Sequence, residues 1–212
     1  MGFLMDLHVH TRLYSPCSTI EPERLVAQAV RVGLDGLVIT EHHYQWPEED
    51  LATLLEYADA PDFVLLSGFE YASSCGDILI YGLTDSEADR FQPGLHPGEA
   101  IRRAHDLGGV CVAAHPTRAA MGFDEKIRTL PLDAIEVRSM NLNAYEQRLA
   151  IQLSTDLNLR PVAASDAHQI NNVGCHATEF DYSIHSMENL QESLRRGKFR
   201  PADNANRRIR VP

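Results

Sequence analysis

Short apolar runs alternate with amphipathic stretches along nearly the whole chain, and this alternation narrows the possible folds more than any other feature. Runs at residues 3–10, 36–40, 63–69, 78–81, 110–114, 135–137 and 161–164 read as strands. Helices are expected at 21–30, opened by proline and acids and closed at Gly33, near 47–57, over 97–107 ahead of Gly108-Gly109, over 144–158, and over 187–196 before Gly197. Strands that are apolar throughout need cover on both faces, the pattern of a parallel sheet flanked by helices. About seven such units in roughly 200 residues favour a closed α/β barrel over an open sheet. There is no internal repeat or long linker, so residues 1–212 are expected to form a single domain. Its basic, Pro/Asn-rich tail, 199–212, is expected to wrap the surface or to be loosely ordered.

Parallel α/β folds bind ligands at the carboxyl ends of their strands, and the unusual polar residues of this chain fall there. The first strand ends in His8-Val9-His10. Side chains alternate faces along a strand, so these imidazoles point the same way, about 6.5–7 Å apart. The second strand runs into Glu41-His42-His43, the third to Glu70, the 110–114 run into His115-Pro116, and the 161–164 run into Ser165-Asp166-Ala167-His168. Taken singly, each has a plain structural role: His115 as a capping or core histidine, Glu70 as the partner of an arginine, Asp166 as a helix N-cap. Burying so many acids and imidazoles side by side is costly without a cation to pair them. Imidazole and carboxylate together suit zinc, iron and related metals. The strand ends therefore read as a metal site.

The remaining composition excludes more than it assigns. At 44% hydrophobic and 23% charged residues the chain has an ordinary globular balance. A formal net charge of −11 argues against a broad electrostatic grip on nucleic acid, so extended nucleic acid is not an expected partner. No apolar run reaches the roughly 18–20 residues that span a bilayer, so no membrane partner is expected. The N-terminus lacks the order of a signal peptide, which makes the expected location cytoplasmic. Cys17, Cys75, Cys111 and Cys175 are widely spaced and expected to be reduced thiols. Without GxGxxG, GxxxxGK[ST] or GxSxG motifs, nucleotide-cofactor and serine-hydrolase readings lack support.

The ordered set His8-x-His10, Glu41-His42, Gly68-x-Glu70, Ala114-His115-Pro116 and Ser165-Asp166-Ala167-His168 resembles the PHP superfamily. Its members include PHP-type histidinol phosphatases and the PHP domains of bacterial replicative polymerases. The segment from Ser165 to Gly174 is similar to stand-alone PHP phosphoesterases. The resemblance covers residues 6–168 and implies a distorted (β/α)7 barrel of the PHP type with two or three divalent ions (zinc, manganese or iron) at its mouth. It implies that His8, His10, Glu70 and Asp166 hold one ion. Glu70 would bridge to a second ion, also held by His115, and His42 and His168 would hold a third. Two departures stand out. Where many relatives carry Asp or His soon after the His-x-His, this chain has Ser15-Pro16-Cys17, with Ser15 a weak ligand and Cys17 a soft one. Where relatives often have His, it has Asp77, either a ligand that favours harder ions or a turn residue after Gly76. Asp6 and Glu41 are expected to orient ligand histidines.

The activity implied is hydrolysis of a phosphate ester, on a small phosphorylated metabolite or a nucleotide, by a metal-bound hydroxide and without a covalent enzyme intermediate. His168 is the candidate proton carrier. Arg118, three residues past His115, is the first candidate to meet phosphate oxygens and assist catalysis, and Arg138 the second substrate-binding candidate. His43, His96, His105, His176 and His185 lie outside the pattern. Alternatives are a metal-dependent hydrolase of another ester or a C–N bond, an exonuclease, and an inactive PHP module with a structural or regulatory role.

Overall fold

A computed structural model describes residues 2–202. In chain order its elements are β1 (Phe3–Val9), α1 (Pro22–Arg31), β2 (Gly36–His42), α2 (Glu48–Tyr57), β3 (Val64–Ala72), β4 (Asp77–Tyr81), the short α3 (Asp85–Ala88), α4 (Pro97–Asp106), β5 (Val110–Ala114), β6 (Ala134–Arg138), α5 (Ala144–Asp156), β7 (Arg160–Ala163), β8 (Thr178–Phe180), α6 (Met187–Arg196) and β9 (Phe199–Pro201). Helix ends follow local chemistry. Asn143 and Glu146 form a reciprocal capping box at the start of α5, and Ser186 caps α6, which stops at Gly197 with φ 67°.

Among the described residues, nine strands form one sheet in the order β7-β6-β5-β4-β3-β2-β1-β8-β9. The expected wholly parallel sheet needs correction. β1, β2 and β3 run parallel, as do β5, β6 and β7, but β4 is antiparallel to both β3 and β5. Only Ser73, Ser74, Cys75 and Gly76 separate β3 from β4, whereas a parallel crossover needs about a dozen residues. Gly76 makes the turn at φ 83°. The reversal places Asp77, first in β4, opposite Ala72 and Ala114, at the end where the parallel strands finish. Phe199–Pro201 pairs with β8 as a strand, while residues 203–212 lie outside the described part.

The sheet curls into a nearly closed barrel. Its interior is filled by Met5, Val38, Leu79, Tyr81, Val110, Val112, Ala134 and Val162, packed with Phe180 and with Leu190 and Leu194 of α6. On the outer face, Cys111, Ala113, Ile135 and Val137 pack on Ile101 and Ala104 of α4 and Ala150 of α5. Leu37, Ile39 and Leu65 pack on Leu25 and Ala29 of α1 and on Leu51 and Leu54 of α2. Cover on both faces is why these strands are apolar at every position rather than at alternate ones.

Closure brings β1 against the segment that follows β7. His10 N–H donates to Ala167 O at 3.1 Å, and Asp166 N–H to His8 O at 2.8 Å. The Thr178 hydroxyl spans the Ala163 amide and carbonyl at 3.0 and 2.8 Å. Asp6, fully buried, accepts the Ser165 and Gly174 amides, each at 2.8 Å. Burial pushes its carboxyl up to about 6 despite these donors.

Asp6→Ala strands two buried amides at about 1–3 kcal/mol each, partly offset by removing a buried carboxylate. Urea unfolding should show a loss of about 2–4 kcal/mol; a change below about 0.5 kcal/mol would contradict this role for Asp6.

Candidate metal centre

The carboxyl ends of β1, β2, β3, β5 and β7, together with the start of β4, converge on one buried cluster. His8, His10, Glu70, His115 and Asp166 are at most 2% exposed, while the side chains of His42 and His168 are 39% and 26% exposed at the rim. His115 and Asp166 hold φ of 26° and 51°, conformations non-glycine residues seldom adopt and that persist where the surroundings over-determine them.

Three overlapping groups emerge. In the first, His8 Nε2 and His10 Nε2 lie 3.0 Å apart. Glu70 Oε2 is 3.5 and 3.3 Å from them, and Asp166 Oδ1 is 3.4 and 3.3 Å. In the second, His115 Nε2 meets Glu70 Oε1 at 3.0 Å, Asp166 Oδ2 at 3.8 Å and Asp77 Oδ2 at 4.0 Å. The third joins His10, His42 and His168. Glu70 is common to the first two, with one oxygen toward each, and its Oε2 also meets His42 Nδ1 at 3.0 Å.

These residues fit divalent ions. Ligand atoms about 2.0–2.1 Å from one ion, at tetrahedral to octahedral angles, lie about 2.9–3.4 Å from each other. The first group matches that spacing in every contact given but His8–Glu70, which at 3.5 Å is slightly longer. Asp166 Oδ1 is buried without a hydrogen-bond donor, an acceptor left for something the protein does not supply.

A ring of non-ligand groups holds the cluster. Ser15 Oγ donates to Glu41 Oε2 at 2.6 Å, so it accepts from His10 Nδ1 at 3.2 Å and from the His42 amide at 3.1 Å. Ser15 is thus a buried relay between Glu41 and His10. Glu41 also accepts from Thr11 and Trp46 and touches His42 only through Ser15. Asp6 meets His8 at its amide and holds the loop that carries Asp166, rather than an imidazole. Cys17 Sγ lies 3.4 Å from the outer nitrogen of His42 and joins none of the three groups. Two residues outside the sequence reading contribute. Asn141 Nδ2 donates to Asp166 Oδ2 at 2.5 Å, and Glu136 of β6 reaches His8 Nδ1 at 3.2 Å and the His115 amide at 2.7 Å. A single acid inside the apolar run Ala134-Ile135-Glu136-Val137 was the signal for Glu136; Asn141 sits in a loop that offered none.

The charges hold one another. Burial opposes protonation of His8, but Asp166, Glu70 and Glu136 outweigh it and keep its pKa well above the usual imidazole value. The same contest raises His10, and takes His115 to about 9 through its bond with Glu70. Burial also opposes ionisation of Glu70 and Asp166, yet His8 and its neighbours draw both below the carboxylate range. Asp77, with burial foremost and Glu70 adding to it, rises to about 6. His168 is lowered by burial and by His10. A divalent cation would replace the protons these imidazoles otherwise share with the carboxylates.

Of the arginines, Arg118 sits on the loop after His115, its amide bonded to the His115 carbonyl at 3.0 Å, and is half-buried. Arg138 lines a different groove, with Ile151 and Ser154 of α5 and with Arg160. Away from the mouth, at the start of β5 and β6, His105 Nε2 lies 2.9 Å from Asp133 Oδ2, near Cys111. Asp133 already accepts the Cys111 amide, and burial pushes the Cys111 thiol up, so the group is a hydrogen-bonded cluster that closes the strand starts.

A PHP-associated family model matches residues 144–199, from α5 into β9. In this segment the chain is similar to PHP-associated proteins, in agreement with the resemblance carried by its motifs. The barrel superposes with a TM-score of 0.73 and 20% identity on a two-domain protein of Bacteroides vulgatus containing a predicted PHP-like metal-dependent phosphoesterase, over 95% of this chain and 65% of that one. The lesion-specific endonuclease PfuEndoQ of Pyrococcus furiosus is similar at TM-score 0.69 and 16% identity, over 95% of this chain and 58% of that one. An amidohydrolase of Chromobacterium violaceum is similar at 0.63 and 17%, over 95% and 99%. The chain thus spans less than two thirds of the first two. In sequence it is 28% identical to the uncharacterized protein MJ1587 of Methanocaldococcus jannaschii over 152 residues, 67% of this chain and 82% of that one.

Zinc added to chelator-treated protein should raise the unfolding midpoint, with about 2.7 kcal/mol of stabilisation at a hundred times the dissociation constant. Glu70→Ala should abolish most of that rise. An unchanged midpoint in the wild type would contradict a metal centre here.

Proposed function

We propose that this protein is a PHP-type metal-dependent hydrolase of phosphate esters, acting on a small phosphorylated metabolite or a nucleotide. The observation that carries the reading is Glu70, whose two oxygens face two adjoining groups of buried ligands. His8, His10 and Asp166 would share the first ion with Glu70, and His115 and Asp77 the second. His42 and His168 would hold a third. Divalent ions there supply an activated water and positive charge against the phosphoryl oxygens. Zinc, manganese and iron all suit this mixed imidazole and carboxylate set.

The chain's own groups do the rest. Asp166, kept ionised by His8 and His10, contributes negative charge that fixes cations at the mouth. His168 has its Nδ1 held 3.0 Å from the Asp166 carbonyl, which leaves Nε2 for the rim. With the third ion position empty, that nitrogen would pass a proton to the departing oxygen. Arg118, on a loop tied to α5 by the Ala119–Glu146 bond of 2.8 Å, would meet phosphate oxygens; Arg138, which lines the α5 groove, is the second candidate. The likeness to PHP-like phosphoesterases and to an endonuclease supports phosphoester chemistry, and the likeness to an amidohydrolase supports the alternative of C–N hydrolysis. A cytoplasmic location is part of the proposal; among the described residues no helix is long and apolar enough to cross a membrane.

The test is a panel of chromogenic phosphate mono- and diesters beside carboxylic esters and amides, with zinc, manganese or iron(II) supplied. Phosphate esters should be cleaved, and Glu70→Ala should lower the rate by about 100-fold or more. Turnover of amides alone would favour the alternative, and inertness towards every substrate an inactive module. Arg118→Ala should cost about 10–100-fold in kcat/KM, the worth of a charge-assisted bond to phosphate; an unchanged value would remove Arg118 from the site.

A further inference from the structure

β6 gives the cluster no ligand, yet its Glu136 is fully buried beside it. Both oxygens are committed. Oε1 lies 3.2 Å from His8 Nδ1, and Oε2 accepts the His115 amide at 2.7 Å. An ionised carboxylate accepts and does not donate, so the proton of the His8 contact sits on Nδ1. That turns His8 Nε2 into the first ligand group, 3.0 Å from His10 Nε2 and 3.4 Å from Asp166 Oδ1. The second bond acts on backbone. His115 holds φ at 26°, and the bond from its amide to Glu136 helps secure that conformation, which aims Nε2 at Glu70 Oε1, 3.0 Å away.

We propose that Glu136 is a positioning residue that couples the two ion positions, setting the His8 tautomer for one and the His115 backbone for the other. This rests on the metal-centre reading above. Such outer groups orient a ligand ring and keep its free nitrogen toward the ion. Glu136→Gln is the informative variant, because it keeps size while leaving one oxygen for two donors. Its amide group then faces either His8 Nδ1, which moves the His8 proton to Nε2, or the His115 N–H, donor against donor.

Two readouts test the coupling: zinc titration against a competing chelator, and nitrogen-15 spectra of the histidine rings in the full chain. In the zinc-loaded wild type, His8 should carry its proton on Nδ1, with Nε2 taken by the ion. In Glu136→Gln, zinc should bind about 10–100-fold more weakly at both of the tightest positions, with the circular dichroism spectrum retained. Glu136→Asp should recover part of the affinity, since it restores two acceptor oxygens. Wild-type affinity in Glu136→Gln, or a bare Nδ1 on His8 in the wild type, would overturn the proposal. If the glutamine variant does not fold, the wild-type ring spectrum decides by itself. A wild type that binds no zinc would sink the metal reading and the coupling with it, whereas zinc binding with a bare His8 Nδ1 would sink the coupling alone.

Discussion

Carboxylates and imidazoles are buried together at the mouth of this barrel, and the cost of taking them out of water governs much of the surrounding structure. Glu70, Asp166 and Glu136 sit against His8, His10 and His115 with almost no solvent contact. An isolated buried charge of this kind is unfavourable by several kcal/mol, so each group survives only through its neighbours. The pairing is near-complete. Asp166 Oδ1 and His115 Nδ1 are buried side-chain atoms of the cluster without a hydrogen-bond partner. A cation among the ligands would answer the first of these and offset the negative charge of the whole set.

The fold is arranged to meet this demand. Parallel strands finish at one end, so residues far apart in sequence arrive side by side without long loops. The antiparallel β4 adds Asp77 at the same end by running the other way. Closure between β1 and the segment after β7 then brings Asp166 to His8, and Asp6 anchors that segment from beneath. Two buried glutamates serve the His-x-His pair, Glu136 directly on His8 and Glu41 through Ser15 on His10. Strain at His115 and Asp166 is held by the same bonds that aim their side chains.

Much of this was legible in the amino-acid sequence because burial on both faces of a strand leaves an apolar run that composition alone reveals. Glu70 and His115 stood out because polar residues at the end of such runs have few structural uses. The direction of β4 was written in the four-residue link before it, a length that excludes a crossover, but the apolar pattern of a strand does not carry its direction. β8 and β9 are three residues each, too short for a periodic signal. Glu136 could have been found as the lone acid of a buried strand, at the same interior-facing register as Ala134. Ser15 read as a weak ligand, because a hydroxyl's role depends on which acceptor takes its proton. That is a property of three-dimensional packing. Arg138 follows a β-bulge between β6 and β7, a local irregularity that strand alternation does not foresee.

The central claim is that these side chains form a multinuclear metal centre. Anomalous diffraction from crystals soaked in zinc or manganese tests it most directly. The account predicts at least two peaks at the barrel mouth, one about 2.0–2.3 Å from His8 Nε2 and His10 Nε2 and another at a similar distance from His115 Nε2, with Glu70 between them. A mouth without peaks, or a single peak beside His105 and Asp133 at the far end of the barrel, would contradict it.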